Sequence, residues 1–194
     1  MLREFFIAGG VIMYPLLLGS ILAVAIILER LFYWLRFWLR SDRKLRRELM
    51  GLYVHADKVR RSRDEVVNIL AEFVRNPDDP TGPVIKAERV VRESKKHLGI
   101  LGLISSVSTS LGLLGTVIGV SMAFREMGLE KATGLAAALS VALNTTMFGL
   151  VIFLPSFMAY TFFTHLSKMV GLEMEEAMET IRSSVRARRE RLVS

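Results

Sequence analysis

Three long stretches without a charged residue constrain this chain more than any other feature of its sequence. They cover Phe5 to Leu28, Leu98 to Phe124 and Ala132 to Thr164, which are 24, 27 and 33 residues long. A helix needs about 20 predominantly apolar residues to cross the hydrocarbon core of a bilayer, so each stretch is long enough. The sequence therefore predicts an all-α integral membrane protein with three transmembrane helices.

The distribution of basic residues predicts how these spans are oriented. Of the 26 Lys and Arg residues, 16 lie between Arg36 and Lys96 and six follow Leu166, whereas only Arg125 and Lys131 lie between the second and third spans. Because cytoplasmic segments carry an excess of Lys and Arg, we expect the middle segment and the C-terminus in the cytoplasm and the N-terminus on the opposite side. This topology explains the net charge of +7 without nucleic-acid binding.

The spans divide the chain into predicted segments. These are the N-terminus and first span over 1–38, a cytoplasmic helical segment over 39–97, the second span over 98–124, a short external loop over 125–133, the third span over 134–165 and a cytoplasmic C-terminal helix over 166–194. Tyr33, Trp34 and Trp38 lie at the inner end of the first span, where interfacial aromatic residues are enriched.

Helical periodicity extends beyond the spans on the cytoplasmic side. Apolar residues recur at helical spacing from Asp42 to Val74, which predicts one helix before the turn-forming sequence at Asn76 to Pro83. A second helix is predicted to begin at Val84 and to run without a break into the second span. The third span is predicted to continue past His165 into a cytoplasmic helix.

No arrangement of residues points to catalysis or to metal binding. The chain has no Cys, and its three His residues, His55, His97 and His165, lie far apart in sequence. A phosphate-binding loop, a nucleophile elbow and a zinc-protease motif are all missing from the sequence. We therefore expect a protein that is not an enzyme and has no metal or other cofactor.

The second span carries one helical face of small or weakly polar residues, spaced alternately by three and four positions. This face comprises Gly102, Ser105, Thr109, Gly112, Thr116, Gly119 and Ala123. Small residues allow close packing of helices in lipid, which is the simpler explanation of the pattern. The functional alternative is that Ser105, Thr109 and Thr116 line a lumen, where their hydroxyls relay protons or bind a carboxylate.

The third span is unusually polar at its centre, around Asn144, Thr145 and Thr146. An Asn in a span is expected to hydrogen-bond to a neighbouring helix, and Pro155 is expected to bend the helix and free a carbonyl. The second and third spans contain no Asp, Glu, Lys or Arg. Because proton relays in membranes usually need an ionisable side chain, either this chain moves no protons or a partner supplies the titrating group.

Two sequence motifs resemble a known family. Leu111 to Gly119, with the sequence LGLLGTVIG, resembles the second-helix signature of the MotA/TolQ/ExbB proton-channel family. Ala142 to Leu150, with the sequence ALNTTMFGL, resembles its third-helix signature. The opening residues Gly9-Gly10 and Tyr14 to Leu17 also look like the family's first helix. The resemblance covers nearly the whole chain and is weakest over Leu39 to Lys96.

The resemblance implies a proton-driven stator in the bacterial inner membrane. It implies a pentamer around two copies of a single-span partner similar to ExbD or TolR, each bringing a membrane Asp. The family's pore threonines fall on Thr116 and Thr146, with Thr145 as the alternative register. Proton flow would drive rotation and pass torque to a TonB-like or TolA-like protein, with H⁺ as the expected ion and Na⁺ left open. The residues expected to pack the helices are Gly102, Gly112, Gly119, Gly149, Pro155 and Asn144.

Two departures from the family pattern keep alternatives open. Val141 stands where many ExbB and TolQ proteins carry a membrane Glu, and Thr109 stands where a Pro is common. Three spans with a short cytoplasmic segment favour the ExbB/TolQ branch over a flagellar stator. The sequence does not choose between TonB-type uptake, Tol-type membrane maintenance and a gliding or other specialised motor, and a non-conducting oligomeric scaffold is the hypothesis from another class. The Arg-rich tail from Arg186 is expected in solvent or against anionic lipid.

Overall fold

The computed structural model describes residues 11–50, 62–76, 79–128 and 132–193. Six α-helices lie within these ranges: α1 (Met13–Arg40), α2 (Arg43–Met50), α3 (Glu65–Arg75), α4 (Thr81–Ser94), α5 (Leu98–Gly128) and α6 (Ala132–Val193). The described part of the chain is all-helical, as predicted. The predicted residues Gly9, Gly10 and His55, the centre of the 39–97 segment and positions 129–131 of the predicted 125–133 loop lie outside these ranges.

Three helices are long and apolar enough to cross a membrane. They are α1, the stretch ending at Arg125 that contains α5, and α6. Most of each apolar window is not buried within the chain, since 17% of the first window and 28% of each of the other two are inside. A helix that leaves large apolar side chains uncovered needs lipid or other protein around it. The prediction of an integral membrane protein with three such helices is confirmed.

The chain divides into two compact units. The first comprises residues 1–29 and 97–162, and the second comprises residues 30–96 and 163–194. In the first unit, the N-terminal part of α1 packs on α5 and α6 through a cluster of buried apolar side chains. Its members are Met13, Leu16, Ala23, Leu101, Ile104 and Ile152.

The second unit is a small helical bundle centred on α3. This helix packs against α2 on one side and α4 on the other, and it buries six of its eleven residues, including Phe73 at 2% exposure. Met174 and Ile181 of α6 are also buried in this unit. The predicted continuation of the third span into a further helical segment is thus found in α6, which runs without a break from Ala132 to Val193.

The prediction of one helix from Asp42 to Val74 is wrong. The chain leaves the helical conformation at Ser62 to Asp64, and α3 begins immediately afterwards. Asp64 has an extended backbone, and its carboxylate accepts a hydrogen bond from the amide of Val66 at 3.0 Å. An Asp in this position caps a helix by satisfying an amide that has no carbonyl partner within the helix.

The prediction of an unbroken helix from Val84 into the second span is also wrong. Helix α4 ends at Ser94, and α5 begins at Leu98 after a turn. His97 in that turn has a φ of 61°, in the left-handed region that ends helices. Arg30 supports this end of α4, since its Nη1 donates to the carbonyls of Glu93 at 2.9 Å and Ser94 at 3.4 Å. A cation at this position also stabilises the helix C-terminus.

A buried ion-pair network joins three elements of the second unit. The guanidinium of Arg46 in α2 contacts Asp64 through Nε at 2.8 Å and through Nη2 at 3.1 Å, and its Nη1 contacts Glu173 of α6 at 3.0 Å. Arg46 and Asp64 are 5% and 2% exposed. Burial lowers the pKa of Arg46, but hydrogen bonds and charge from Asp64 and Glu173 outweigh it and raise the pKa above its usual value.

Candidate functional site

Helices α5 and α6 approach each other closely along glycine residues. A Cβ placed on Gly112 would lie 3.3 Å from the Cα of Gly149, and a Cβ on Gly119 would lie 2.7 Å from the Cβ of Ala142. The sequence numbers fall along α6 as they rise along α5, so the two helices run antiparallel. Backbones can come this close only where side chains are missing or very small. The predicted packing roles of Gly112, Gly119 and Gly149 agree with this geometry.

Thr145 fills the centre of the contact. It is fully buried, its side chain packs directly on the backbone of Gly115, and its hydroxyl donates to the carbonyls of Val141 and Ala142 on its own helix at 3.0 Å each. Because the hydroxyl is satisfied locally and faces a helix backbone, this residue is placed for packing. The sequence analysis missed Gly115, although it lies three residues after Gly112 and four before Gly119 and thus belongs to the same small-residue spacing.

Thr116 and Thr146 meet at the edge of the same contact. Their hydroxyl oxygens are 2.6 Å apart, and both lie close to the carbonyl oxygen of Gly112, at 3.2 Å from Thr116 and 3.0 Å from Thr146. Both side chains are half-buried. The two threonines that the family motifs single out are 30 positions apart in sequence, and the structure brings them into direct contact.

The hydrogen bonds of this threonine pair can be counted. An oxygen–oxygen distance of 2.6 Å requires one hydroxyl to donate to the other. Only the second hydroxyl proton then remains for the carbonyl of Gly112. Both protons are engaged inside the chain, so the pair presents lone pairs outward and can accept a hydrogen bond from a neighbouring donor. To donate to an anion, a hydroxyl must first give up an internal bond.

The other predicted hydroxyls lie along the preceding turns of α5. Ser105 is 3% exposed and donates to the carbonyl of Gly102 at 2.7 Å, whereas Thr109 is exposed and donates weakly to the carbonyl of Ser105 at 3.3 Å. A groove of about 520 Å³ runs over Gly102, Ser105, Thr109 and the ring of Tyr160 in α6. These side chains share one open surface and make no direct contact with the threonine pair.

Three residues predicted to pack the helices differ in their actual surroundings. Gly102 does face α6, because a Cβ there would lie 3.2 Å from the ring of Tyr160. Asn144 donates to Ser140 at 3.3 Å on the same helix, and among the described residues no hydrogen bond joins its side chain to another helix. Pro155 is exposed and α6 continues through it. Because the ring is exposed, it takes no part in the close contacts made by Gly112, Gly119 and Gly149.

The helix segments that form the threonine pair contain no Asp, Glu, Lys or Arg. The uncharged stretches 98–124 and 132–164 contain the whole contact between α5 and α6, and Val141 is half-buried one turn before Thr145. Glu29 directly follows the first uncharged stretch, and it pairs with Nδ1 of His97 at 2.8 Å. Among the residues that the structure describes, no three His, Asp or Glu side chains come together as a metal site would require.

Comparison with known proteins places these features in a family. The model of the MotA/TolQ/ExbB proton channel family matches residues 84–176. A Synechocystis sp. protein named as an ExbB-like biopolymer transport protein is 31% identical over 170 residues, which cover 75% of this chain and 76% of that protein. A second such protein from Synechocystis sp. is 28% identical over 167 residues, covering 78% of this chain and 66% of that protein.

The biopolymer transport protein ExbB of Helicobacter pylori is 40% identical over 68 residues, or 34% of this chain and 47% of that protein. The matched region in the family model contains both threonines and all of the α5–α6 contact. The chain therefore belongs to the MotA/TolQ/ExbB proton channel family, on its ExbB-like branch.

Proposed function

We propose that this protein is the stator of a motor driven by the proton motive force and that the threonine pair Thr116–Thr146 lies on its proton path. In this proposal, five copies surround two copies of a single-span, Asp-bearing partner similar to ExbD or TolR. The complex lies in the bacterial inner membrane, with the N-terminus in the periplasm and the C-terminus in the cytoplasm. It energises an envelope process through a TonB-like or TolA-like protein.

The direct contact between Thr116 and Thr146 is the observation that carries the proposal. A protonated carboxylic acid on a partner helix can donate to the outward lone pairs of this pair without disturbing its internal bonds. Once that acid loses its proton, the carboxylate attracts a hydroxyl, which must turn away from the carbonyl of Gly112. The pair thus responds differently to the two protonation states of a partner, as a step in proton transfer requires.

The uncharged character of α5 and α6 supports a partner that supplies the titrating group. Hydroxyls exchange protons but do not hold a charge at neutral pH, and the uncharged stretches 98–124 and 132–164 contain no carboxylate. Val141, which replaces the Glu common in the family, removes the obvious alternative within the stator. H⁺ is therefore the proposed ion, and no further cofactor is needed.

Uncovered apolar side chains on the same helices support assembly with other chains and lipid. Leu113, Phe124 and Leu143 are 65%, 68% and 71% exposed in the single chain. Such side chains on spanning helices are covered by lipid tails, further copies of the chain or a partner helix.

The proposal is tested by purifying the protein together with an adjacent single-span, Asp-bearing gene product and measuring the mass of the complex under native conditions. A 5:2 complex supports it. The variants Thr116→Val and Thr146→Val keep the side-chain shape, so we expect the same 5:2 mass and a loss of activity that depends on the proton motive force.

Two results would contradict the proposal in different ways. Full activity in both Val variants would remove the hydroxyls from the proton path and leave them a packing role. A homo-oligomer of another number that retains no single-span partner would favour the non-conducting scaffold instead.

A further inference from the structure

A cavity of about 760 Å³ lies in the second unit, between the end of α1 and the α6 segment that follows the third span. Its wall on the α1 side is aromatic and comprises Trp34, Phe37 and Trp38. On the α6 side it contains His165, Glu173 and Glu176. This aromatic–acidic cavity is separate from the threonine pair, and neither the family motifs nor the proposed function assigns it a role.

The aromatic wall is ordered and contains a hydrogen-bond donor without an acceptor. The rings of Trp34 and Phe37 meet edge to face, with centroids 5.5 Å apart. Trp34 is 4% exposed, and its indole Nε1 has no hydrogen-bond partner among the described residues. A buried indole N–H usually finds an acceptor, so a small rotation of this ring towards the cavity would let an oxygen of a bound molecule accept its hydrogen bond.

The charges that line the cavity favour a cation. Arg46 also borders it, but its guanidinium is already engaged by Asp64 through two bonds and by Glu173 at 3.0 Å. Glu176 makes no ion pair within the described ranges and is exposed. A carboxylate beside tryptophan rings is the setting in which an organic ammonium group is bound, by ion pairing and by contact with aromatic faces.

The position of the cavity indicates what kind of ammonium compound can reach it. Trp34 and Trp38 form the aromatic inner end of the first span, and His165 is the first residue after the third uncharged stretch. Residues in these positions lie at the level of lipid headgroups. Part of the lining is apolar and suits the first carbons of acyl chains; it is made of Leu166, Met169 and Val170.

We propose that this cavity binds a phospholipid with a primary-ammonium headgroup, such as phosphatidylethanolamine, from the cytoplasmic leaflet. The ammonium group lies between Glu176 and the ring of Trp38, which is 56% exposed. The phosphate or ester oxygens accept hydrogen bonds from Nε1 of Trp34 and from the ring of His165. The site depends only on the membrane position of the chain and not on proton conduction, so the two proposals can fail separately.

The test is to purify the full-length oligomer, remove its lipid with detergent and return equimolar phosphatidylethanolamine and phosphatidylglycerol with identical acyl chains. Lipid that stays bound is then counted by native mass spectrometry. We expect preferential retention of phosphatidylethanolamine. Glu176→Gln should reduce that retention about tenfold, since one hydrogen bond to a charged group is worth about one power of ten in affinity.

Glu179→Gln is the matched control, because Glu179 is exposed on the same helix and lies outside the cavity lining. It should leave retention unchanged, and both variants should keep the oligomer mass of the parent. Equal retention of the two lipids would overturn the proposal, as would equal loss in both variants. An intact oligomer that retains no lipid would also overturn it and would point to a neighbouring copy covering the cavity.

Discussion

Replacing Gly119 by Ala tests how closely α5 and α6 must approach. The new Cβ would lie 2.7 Å from the Cβ of Ala142 and 2.8 Å and 2.9 Å from its backbone nitrogen and Cα. Carbon atoms in contact are about 3.5 Å apart or more, so the helices must separate locally by about 0.8 Å. Overpacking of this kind costs about 1–3 kcal/mol.

Gly99→Ala is the matched control for this change. Gly99 lies on the same helix, and a Cβ there meets nothing within 4 Å. Both variants gain helix propensity, worth up to about 1 kcal/mol for Gly to Ala. We therefore expect Gly119→Ala to be less stable than Gly99→Ala by about 1–3 kcal/mol, measured by unfolding the detergent-purified protein with increasing denaturant.

The same displacement should reach the threonine pair. Thr116 lies less than one turn from Gly119, and lengthening its 2.6 Å contact with Thr146 by about 0.8 Å would break that hydrogen bond. Proton flux should therefore fall in Gly119→Ala and persist in Gly99→Ala. If Gly119→Ala matched the control in both stability and proton flux, the close approach of α5 and α6 would have no measurable effect, contrary to this prediction.

Two further predictions concern the second unit. Arg46→Met leaves the carboxylate of Asp64 buried without its cation, which should lower the unfolding free energy by about 3–5 kcal/mol in chemical denaturation. The double variant that also carries Asp64→Asn should recover part of this loss. No recovery would argue against an electrostatic origin. Arg30→Met removes the donor to the carbonyls of Glu93 and Ser94, so amide hydrogen exchange should become faster at the end of α4. Unchanged exchange there would show that Arg30 does not support this helix end.

The features that the sequence predicted are those that depend on long, regular patterns. Three uncharged stretches were sufficient to identify the helices that can span a membrane, and uninterrupted periodicity predicted the continuation of α6 beyond His165. Glycine spacing predicted the face of α5 that meets α6. The sequence singled out Thr116 and Thr146 because each falls in a motif shared by the family, and the structure shows that they are in contact.

The features that the sequence analysis missed depend on contacts between distant residues. The break between α4 and α5 contains neither Gly nor Pro, and His97 takes a left-handed conformation in a turn that Arg30 supports from another helix. Asp64 could have been read as a helix cap, but its pairing with Arg46 is a tertiary contact. Asn144 donates one of its two amide hydrogens to Ser140 on the same helix, which a general expectation about polar residues in lipid does not foresee.

We infer that the Thr146 hydroxyl carries protons, whereas the adjacent Thr145 hydroxyl does not. The most direct measurement is proton flux into liposomes containing the complete complex, for Thr146→Val and for Thr145→Val. Among the described residues, Thr145 bonds to carbonyls of its own helix, whereas Thr146 joins the pair with Thr116. We predict that proton flux is lost in Thr146→Val and kept in Thr145→Val. Flux that survives in Thr146→Val, or is lost equally in both variants, would contradict it.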